Sequence, residues 1–328
     1  MKSRNERATW RVDVSEAVDL DGCLEVAVDV VLPPREALRA PATLLFCLPG
    51  GFLTRRYFDL GDPSDPVECT YSFAEHMAGL GYAVAALDHV GVGDSSKPER
   101  LEDGYSLGVD EIARSNQCAW REVMARVARS LGVATDELVS VGVGHSMGSA
   151  LTVAQQANHG PHRLLVLQSF GSGGLPAFLQ GDEPSYANDP ERTRAHVGEL
   201  VRARFGTPYP GAANEEDAGT SAAFSVGSAP PLAERLLSGV ATNLLATCGL
   251  LTMIPGAYAP YAEKIAVPCF IAMGDKDLLA AHQVPPMLPN ASETVAYTLP
   301  DSWHCHNVAN TRQQMWDRTA RWLNAMLC

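Results

Sequence analysis

Apolar residues occur in short continuous runs that are separated by stretches with helical spacing. Such runs are typical of strands that are buried on both faces. The predicted strands are residues 43–48, 82–87, 138–143, 163–170, 267–273 and 294–299. The predicted helices are residues 71–80, 109–131, 149–156 and 310–327. Because strand and helix alternate, the pattern predicts an α/β fold with a mostly parallel, doubly wound central sheet.

Two parts of the chain depart from this alternation. Residues 12–18 and 24–32 surround an Asp-Gly pair and predict an N-terminal hairpin. Between residues 171 and 264 the alternation stops, and patches of helical spacing stand among Gly, Pro, Ser and Ala. An insertion of this length between two strands of one sheet predicts a helical lid or cap. We therefore expect a core of residues 1–170 and 265–328 and a lid of residues 171–264.

Composition and charge narrow the class of protein. The 328 residues are 46% hydrophobic and 19% charged, which is enough for a sizeable core and excludes disorder as the dominant state. The net charge of −13 disfavours nucleic acid and anionic membrane surfaces as partners. We expect a small-molecule substrate as the partner, and the composition leaves assembly into a homo-oligomer open.

The cellular compartment is predicted from three further features. The eight cysteines include no C-x-x-C pair and are expected to be reduced. The polar first eight residues predict no signal peptide, and no apolar run reaches the length that crosses a bilayer. These features together predict a cytoplasmic protein.

The sequence Gly-His-Ser-Met-Gly at 144–148 carries the strongest chemical signal. It joins the strand predicted at 138–143 to the helix predicted at 149–156. Glycine at both ends of the motif relieves crowding in a tight strand-to-helix turn, so that the hydroxyl of Ser146 can project above the sheet edge. Because the motif also occurs by chance, Ser146 is a candidate nucleophile only if a base and an acid follow it.

The acid candidates directly follow the strand predicted at 267–273. We favour Asp277 over Asp275, because loop residues beyond a strand end commonly build sites. Both aspartates could instead cap the next helix. The loop after the preceding strand offers no carboxylate before Asp182, which strengthens the case for Asp277.

The base candidates are His304 and His306, between the last predicted strand and the last helix. We favour His304 because it lies closer to the strand end. The other histidine would then cap the final helix or line the pocket. A zinc site on the two histidines is an alternative, but no third ligand stands nearby, so no metal is expected.

The negative charge that develops on a carbonyl oxygen requires backbone N–H donors. We expect one from Met147, at the start of the helix that follows Ser146. The second is expected from the turn Pro49-Gly-Gly-Phe52, where Phe52 is favoured over Gly51. The turn could also be a plain connection.

The Gly-x-Ser-x-Gly turn, the Gly-Gly turn and the order Ser146, Asp277, His304 together resemble the α/β-hydrolase superfamily. Residues 88–95, Asp-His-Val-Gly-Val-Gly-Asp-Ser, are similar to a further loop of that family, and residues 267–277 to its strand-plus-acid segment. The resemblance implies an α/β-hydrolase fold with a helical lid inserted before the strand carrying the acid, a Ser-His-Asp triad and no cofactor.

Two departures from the family pattern concern the candidate site. Pro49 replaces the histidine of the common His-Gly oxyanion dipeptide, which leaves the donor assignment open. Trp303 stands where glycine usually precedes the base, which leaves the choice between His304 and His306 open.

These observations predict a serine hydrolase that cleaves an ester, thioester or lactone of a fairly hydrophobic small molecule. The apolar residues 240–254 of the lid agree with a nonpolar substrate, although such a stripe is more often ordinary core. An acyltransferase or a C–C bond hydrolase would use the same triad. A non-catalytic binding protein is the alternative from another class. Ser146 argues against dehalogenase and epoxide hydrolase chemistry, which normally need aspartate at that position.

Overall fold

A single eight-stranded sheet organises the protein, whose computed structural model describes residues 5–211 and 229–327. The strands are β1 (Glu6–Asp13), β2 (Glu25–Leu32), β3 (Thr43–Leu48), β4 (Ala83–Leu87), β5 (Val139–His145), β6 (Leu164–Gln168), β7 (Cys269–Gly274) and β8 (Thr294–Leu299). Their order is β1-β2-β4-β3-β5-β6-β7-β8, and β2 is antiparallel to both of its neighbours. The other neighbouring pairs are parallel, which confirms the predicted mostly parallel sheet.

Helices cover both faces of the sheet. They are α1 (Phe73–Gly79), α2 (Val109–Leu131), α3 (Met147–His159), α4 (Pro190–Phe205), α5 (Pro231–Ser238), α6 (Ala246–Met253), α7 (Ala259–Ala262) and α8 (Arg312–Leu327). Alternate residues of β3 face opposite sides, so Leu44 and Phe46 belong to the core under α2 and α3. Leu45 and Cys47 belong to the core under α1 and α8.

The N-terminal hairpin was predicted with the wrong first strand. That strand is β1 rather than residues 12–18, and it pairs with β2 from Glu6↔Leu32 to Asp13↔Glu25. Most β1 side chains are exposed or half-buried, because β1 forms one edge of the sheet. An edge strand with polar side chains lacks the apolar run that revealed the central strands.

The insertion between β6 and β7 carries α4, α5, α6 and α7. Within residues 240–254 the helical part is α6, and Ala241 forms a bridge with Leu53. Residues 212–228 of the predicted lid lie outside the described residues. The division of the chain into a core and a lid stays a prediction.

Two observations on the structure concern the predicted cellular compartment. Within residues 5–211 and 229–327, none of the helices combines the length and the apolar character that crossing a bilayer requires. The polar N-terminus that predicts no signal peptide includes residues 1–4, which lie outside the described residues.

Candidate active site

The turn around Ser146 is a tight link between β5 and α3. Ser146 has φ 53° and ψ −121°, a conformation that non-glycine residues seldom adopt. A Cβ atom on Gly148 would lie 2.0 Å from the carbonyl oxygen of Leu48, and one on Gly144 would lie 2.4 Å from the Cα atom of Ser149. Only glycine fits at both places, which gives the Gly-x-Ser-x-Gly spacing its physical reason.

Ser146, His304 and Asp277 lie together at the carboxyl ends of the parallel strands. The Nε2 atom of His304 is 2.8 Å from Oγ of Ser146, and its Nδ1 atom is 2.7 Å from Oδ1 of Asp277. A carboxylate can only accept, so Nδ1 carries the proton and Nε2 accepts from the serine hydroxyl. The three side chains therefore form a continuous chain for moving a proton away from Ser146.

The two acid candidates have different surroundings. The Asp277 side chain is fully buried. Burial by itself would raise the pKa of Asp277, but the charge and hydrogen bonds of His304 and His306 outweigh it and hold that pKa well below its usual value. Asp275 is exposed and accepts from the backbone N–H groups of Asp301 and Ser302, both at 3.0 Å. Asp275 therefore ties the β7 loop to the β8 loop, away from Ser146.

His306, the alternative base, lies on the far side of the acid. Its Nε2 atom is 3.0 Å from Oδ2 of Asp277, and its ring is fully buried. Among the described residues its hydrogen-bonding contacts reach Asp277, Ser169 and Gly274, and none reaches Ser146. The geometry therefore pairs His304, not His306, with the serine.

Two polar residues at the site were missed by sequence reasoning. Ser169 directly follows β6, in the loop that was searched for a carboxylate, and its hydroxyl donates to Oδ2 of Asp277 at 2.6 Å. His145 stands inside the Gly-His-Ser-Met-Gly motif, and its Nε2–H donates to the carbonyl oxygen of His304 at 2.9 Å. The available signals were their positions in the chain: Ser169 directly follows β6, and His145 is the last residue of β5.

His145 is neutral in this environment. Burial, followed by the charges of His304 and His306, holds its pKa well below the usual value. Its ring packs 4.4 Å from the ring of Tyr57, measured between centroids. The neutral ring with its proton on Nε2 can hold the His304 backbone without adding a charge beside the candidate base.

The expected oxyanion donors lie on two segments that meet at Ser146. Met147 is the first residue of α3, where backbone N–H groups have no acceptor within the helix. Phe52 has φ 64°, and its carbonyl oxygen accepts from the N–H of Thr242 at 2.8 Å. A Cβ atom on Gly50 would lie 3.1 Å from Cβ of Ser146, so the turn passes directly beside the serine.

Gly51, the second choice as donor, lies where the turn meets the lid. A Cβ atom there would stand 2.5 Å from Cδ1 of Leu244. A side chain there would force Leu244 to move, so close packing at this point favours glycine independently of any role in binding an oxyanion.

A small, mostly apolar cavity of about 40 Å³ opens beside Ser146. Its lining is Ser146, Ala150, Ser169, Phe170, Gly171, Gly174, Leu175, Thr252, Met273, Asp277, Leu278, Leu279 and His304. A larger groove of about 370 Å³ lies between β1 and the 56–61 segment, is lined largely by charged and polar residues, and contains none of the predicted site residues.

In the part of the chain that the structure describes, no group of three His, Cys, Asp or Glu side chains could hold a metal ion.

Comparison with known proteins places the chain in a family. A profile of the alpha/beta hydrolase family matches residues 45–321. The chain belongs to the alpha/beta hydrolase family. No curated protein matches the chain.

Solved structures of alpha/beta hydrolases share the fold at low sequence identity. The peroxisomal alpha-beta-hydrolase Lpx1 of Saccharomyces cerevisiae is 15% identical with a TM-score of 0.57, covering 99% of this chain and 90% of its own. A thermophilic esterase of Thermogutta terrifontis is 13% identical with a TM-score of 0.56, covering 97% and 100%. A bromoperoxidase of Bacillus anthracis is 14% identical with a TM-score of 0.52, covering 96% and 99%. At such identities the likeness concerns the fold, and the activity must be argued from the site.

Proposed function

We propose that this alpha/beta hydrolase is a serine hydrolase that cleaves an ester, thioester or lactone through an acyl-enzyme on Ser146. The observation that carries the proposal is the hydrogen-bonded chain from Oγ of Ser146 through His304 to Asp277. A serine hydroxyl becomes a useful nucleophile only when a base within hydrogen-bond reach accepts its proton.

Each of the named groups has one role in the proposed reaction. Oγ of Ser146 attacks the substrate carbonyl while Nε2 of His304 takes the hydroxyl proton. The resulting imidazolium returns that proton to the departing alcohol, thiol or ring oxygen, and Asp277 stabilises its charge. Water, deprotonated by His304, then releases the acid and regenerates Ser146. The N–H groups of Met147 and Phe52 bind the oxyanion in both halves.

The cavity supports an apolar substrate. Phe170, Leu175 and Leu279 line the space beside Ser146, and no charged group other than Asp277 and His304 is among its lining residues. Apolar walls with a few convergent polar groups are typical of small-molecule sites. We therefore propose that the part of the substrate next to the carbonyl is hydrophobic.

Labelling with a fluorophosphonate probe tests the nucleophile. We expect the wild-type protein to be labelled once, at Ser146, and to hydrolyse a short p-nitrophenyl ester. Ser146→Ala should lose both properties, and the matched control Ser64→Ala, on an exposed loop, should retain them. Labelling that persists in Ser146→Ala, or a wild-type protein that is neither labelled nor active, would contradict the proposal.

Product analysis separates hydrolysis from acyl transfer. Both reactions pass through the same acyl-enzyme, so the difference lies in which acceptor attacks it. We expect free acid as the main product when an alcohol is added to the reaction. A dominant ester product would identify an acyltransferase instead.

A further inference from the structure

The second oxygen of the Asp277 carboxylate has its own set of partners. Oδ1 faces Nδ1 of His304 and accepts from the N–H of Leu278, both at 2.7 Å. Oδ2 accepts from the hydroxyl of Ser169 at 2.6 Å and lies 3.0 Å from Nε2 of His306. Two side chains that the proposed reaction does not use thus engage the oxygen that points away from His304.

The proton of His306 can be assigned from its surroundings. Its Nε2 atom lies 3.0 Å from Oδ2 of Asp277, and the N–H of Gly274 is directed at both of these atoms, with its N 3.0 Å from Nε2 and 3.4 Å from Oδ2. An unprotonated Nε2 would direct its lone pair at a carboxylate, which is repulsive. We therefore assign the proton to Nε2, which donates to Oδ2, and Oδ2 rather than Nε2 then accepts the Gly274 N–H.

Burial and backbone conformation suggest that this arrangement serves a purpose. The His306 ring is fully buried and Ser169 is 9% exposed. Ser169 also has φ 54°, in the left-handed region that a residue with a Cβ atom avoids. Strained backbone of this kind persists where the surrounding structure requires it, and it is common at functional sites.

We propose that Ser169 and His306 are positioning residues that form a carboxylate clamp on Oδ2 of Asp277. The clamp holds the carboxylate in the orientation that directs Oδ1 at His304, and it disperses part of the negative charge that His304 experiences. This proposal rests on the proposed serine hydrolase activity. Ser169 and His306 act through Asp277 and do not contact the reacting atoms.

The clamp has an electrostatic consequence that packing alone would not produce. Among the described residues, Asp277 and His145 contact His304, and the titratable groups His306, Tyr57 and Cys305 interact with Asp277. A donor on Oδ2 draws charge away from Oδ1. This favours the neutral, proton-accepting form of His304, so removing the clamp should raise the pH at which activity is half-maximal.

Kinetics of two matched variants test the clamp. His306→Leu removes the donor, whereas His306→Gln keeps an N–H group at a similar reach. With p-nitrophenyl acetate we expect His306→Leu to lower kcat by roughly ten-fold to a hundred-fold, the size expected for losing a hydrogen bond to a charged group. KM should stay within about two-fold, the acid limb of the pH profile should move to higher pH, and His306→Gln should recover most of kcat.

Ser169→Ala provides a second, independent variant. It removes one hydroxyl without changing the ring packing, so it tests the clamp even if His306→Leu fails to fold, which circular dichroism would reveal. We expect a smaller loss of kcat with the same direction of pH shift. In a protein that already carries Asp277→Ala, neither Ser169→Ala nor His306→Leu should lower the residual rate further.

The outcomes separate the clamp from the proposed function. If the fluorophosphonate probe does not label Ser146 in the wild-type protein, the serine hydrolase proposal itself is contradicted. With labelling intact, the clamp is overturned by unchanged kcat and pH profile in Ser169→Ala. It is also overturned by equal losses in the Leu and Gln variants of His306, or by an undiminished effect in the Asp277→Ala background.

Discussion

Gly148 has the least space of the residues in the turn around Ser146. A Cβ atom there would lie 2.0 Å from the carbonyl oxygen of Leu48 and 2.4 Å from that of Pro49, both backbone atoms that cannot rotate away. We expect Gly148→Ala to lower the free energy of unfolding by roughly 3 kcal/mol or to prevent folding, because the β3 end must shift. Urea unfolding measures the difference.

Gly198 provides the matched control for that substitution. It lies inside α4, and no atom stands within 4 Å of the place where a Cβ would be built. Gly198→Ala should therefore stabilise the protein by about 0.5–1 kcal/mol through helix propensity. Destabilisation of similar size in both variants would show that crowding is not the reason for glycine at 148.

Residue-level prediction from the sequence is most specific where a motif has one geometric explanation. The Gly-x-Ser-x-Gly spacing led to Ser146, and the loops after β7 and β8 led to Asp277 and His304, which the structure brings together. The place of His306 could not be predicted, because its direction depends on how the loop after β8 folds. Ser169 was missed for a similar reason, since a serine after a strand gives no chemical signal until its donor direction is known.

At the scale of elements, one buried cation ties a strand, a loop and a turn together. The Arg55 side chain is 3% exposed, and its guanidinium lies 2.5 Å from Asp88, 2.8 Å from Asp29 and 2.9 Å from Asp94. Asp88 is fully buried and also accepts from the backbone N–H of Arg55. The contacts join β2, the loop after β4 and the turn that follows the expected oxyanion donor.

Replacing that cation should be costly, because it leaves the buried Asp88 without its partner. We expect Arg55→Met to lower the free energy of unfolding by about 3–5 kcal/mol, and the double variant with Asp88→Asn to regain part of the loss. Asp94→Asn should cost less than about 1 kcal/mol, since the Asp94 side chain is 54% exposed. Equal losses for Arg55→Met and Asp94→Asn in chemical unfolding would contradict this account.

Elements were predictable where a local pattern of apolar residues marked them. Helix α2 was predicted with its observed ends, because its apolar face is continuous and Gly132 follows it at φ 73°. Strand β1 was placed wrongly, because it is a polar edge strand. The apolar run 240–254 gave no bounds for a helix: α6 begins only at Ala246, and the bridge between Ala241 and Leu53 is a long-range contact with no local pattern.

At the scale of the whole molecule, several histidines are buried in the interior in their neutral form. Burial lowers the pKa of His162 to about 3, and burial also lowers the pKa values of His89 and His145. Nδ1 of His162 lies 2.8 Å from Oγ of Ser140, which already accepts from Nε1 of Trp120 at 2.8 Å. In either neutral tautomer Nδ1 and the Ser140 hydroxyl exchange one hydrogen bond, whereas a charged ring would carry a proton on Nε2 that has no acceptor among the described residues.

These buried rings make stability fall as the solution becomes acidic. Below the usual histidine pKa of about 6.5 the unfolded chain binds protons that the folded protein does not bind. Each buried ring therefore lowers the free energy of unfolding by up to about 1.4 kcal/mol for every unit by which the pH falls. For His162 this dependence should continue to about pH 3.

We expect His162→Asn, which keeps an acceptor for Ser140, to flatten the dependence of the free energy of unfolding on pH between about pH 6 and pH 4.5. Urea unfolding at a series of pH values measures the slope, and the exposed His282→Asn should leave it unchanged, because that side chain is in water both before and after unfolding. An unaltered slope in His162→Asn would mean that the folded protein accommodates the charged ring, and that the hydrogen-bonded chain from Trp120 does not hold it neutral.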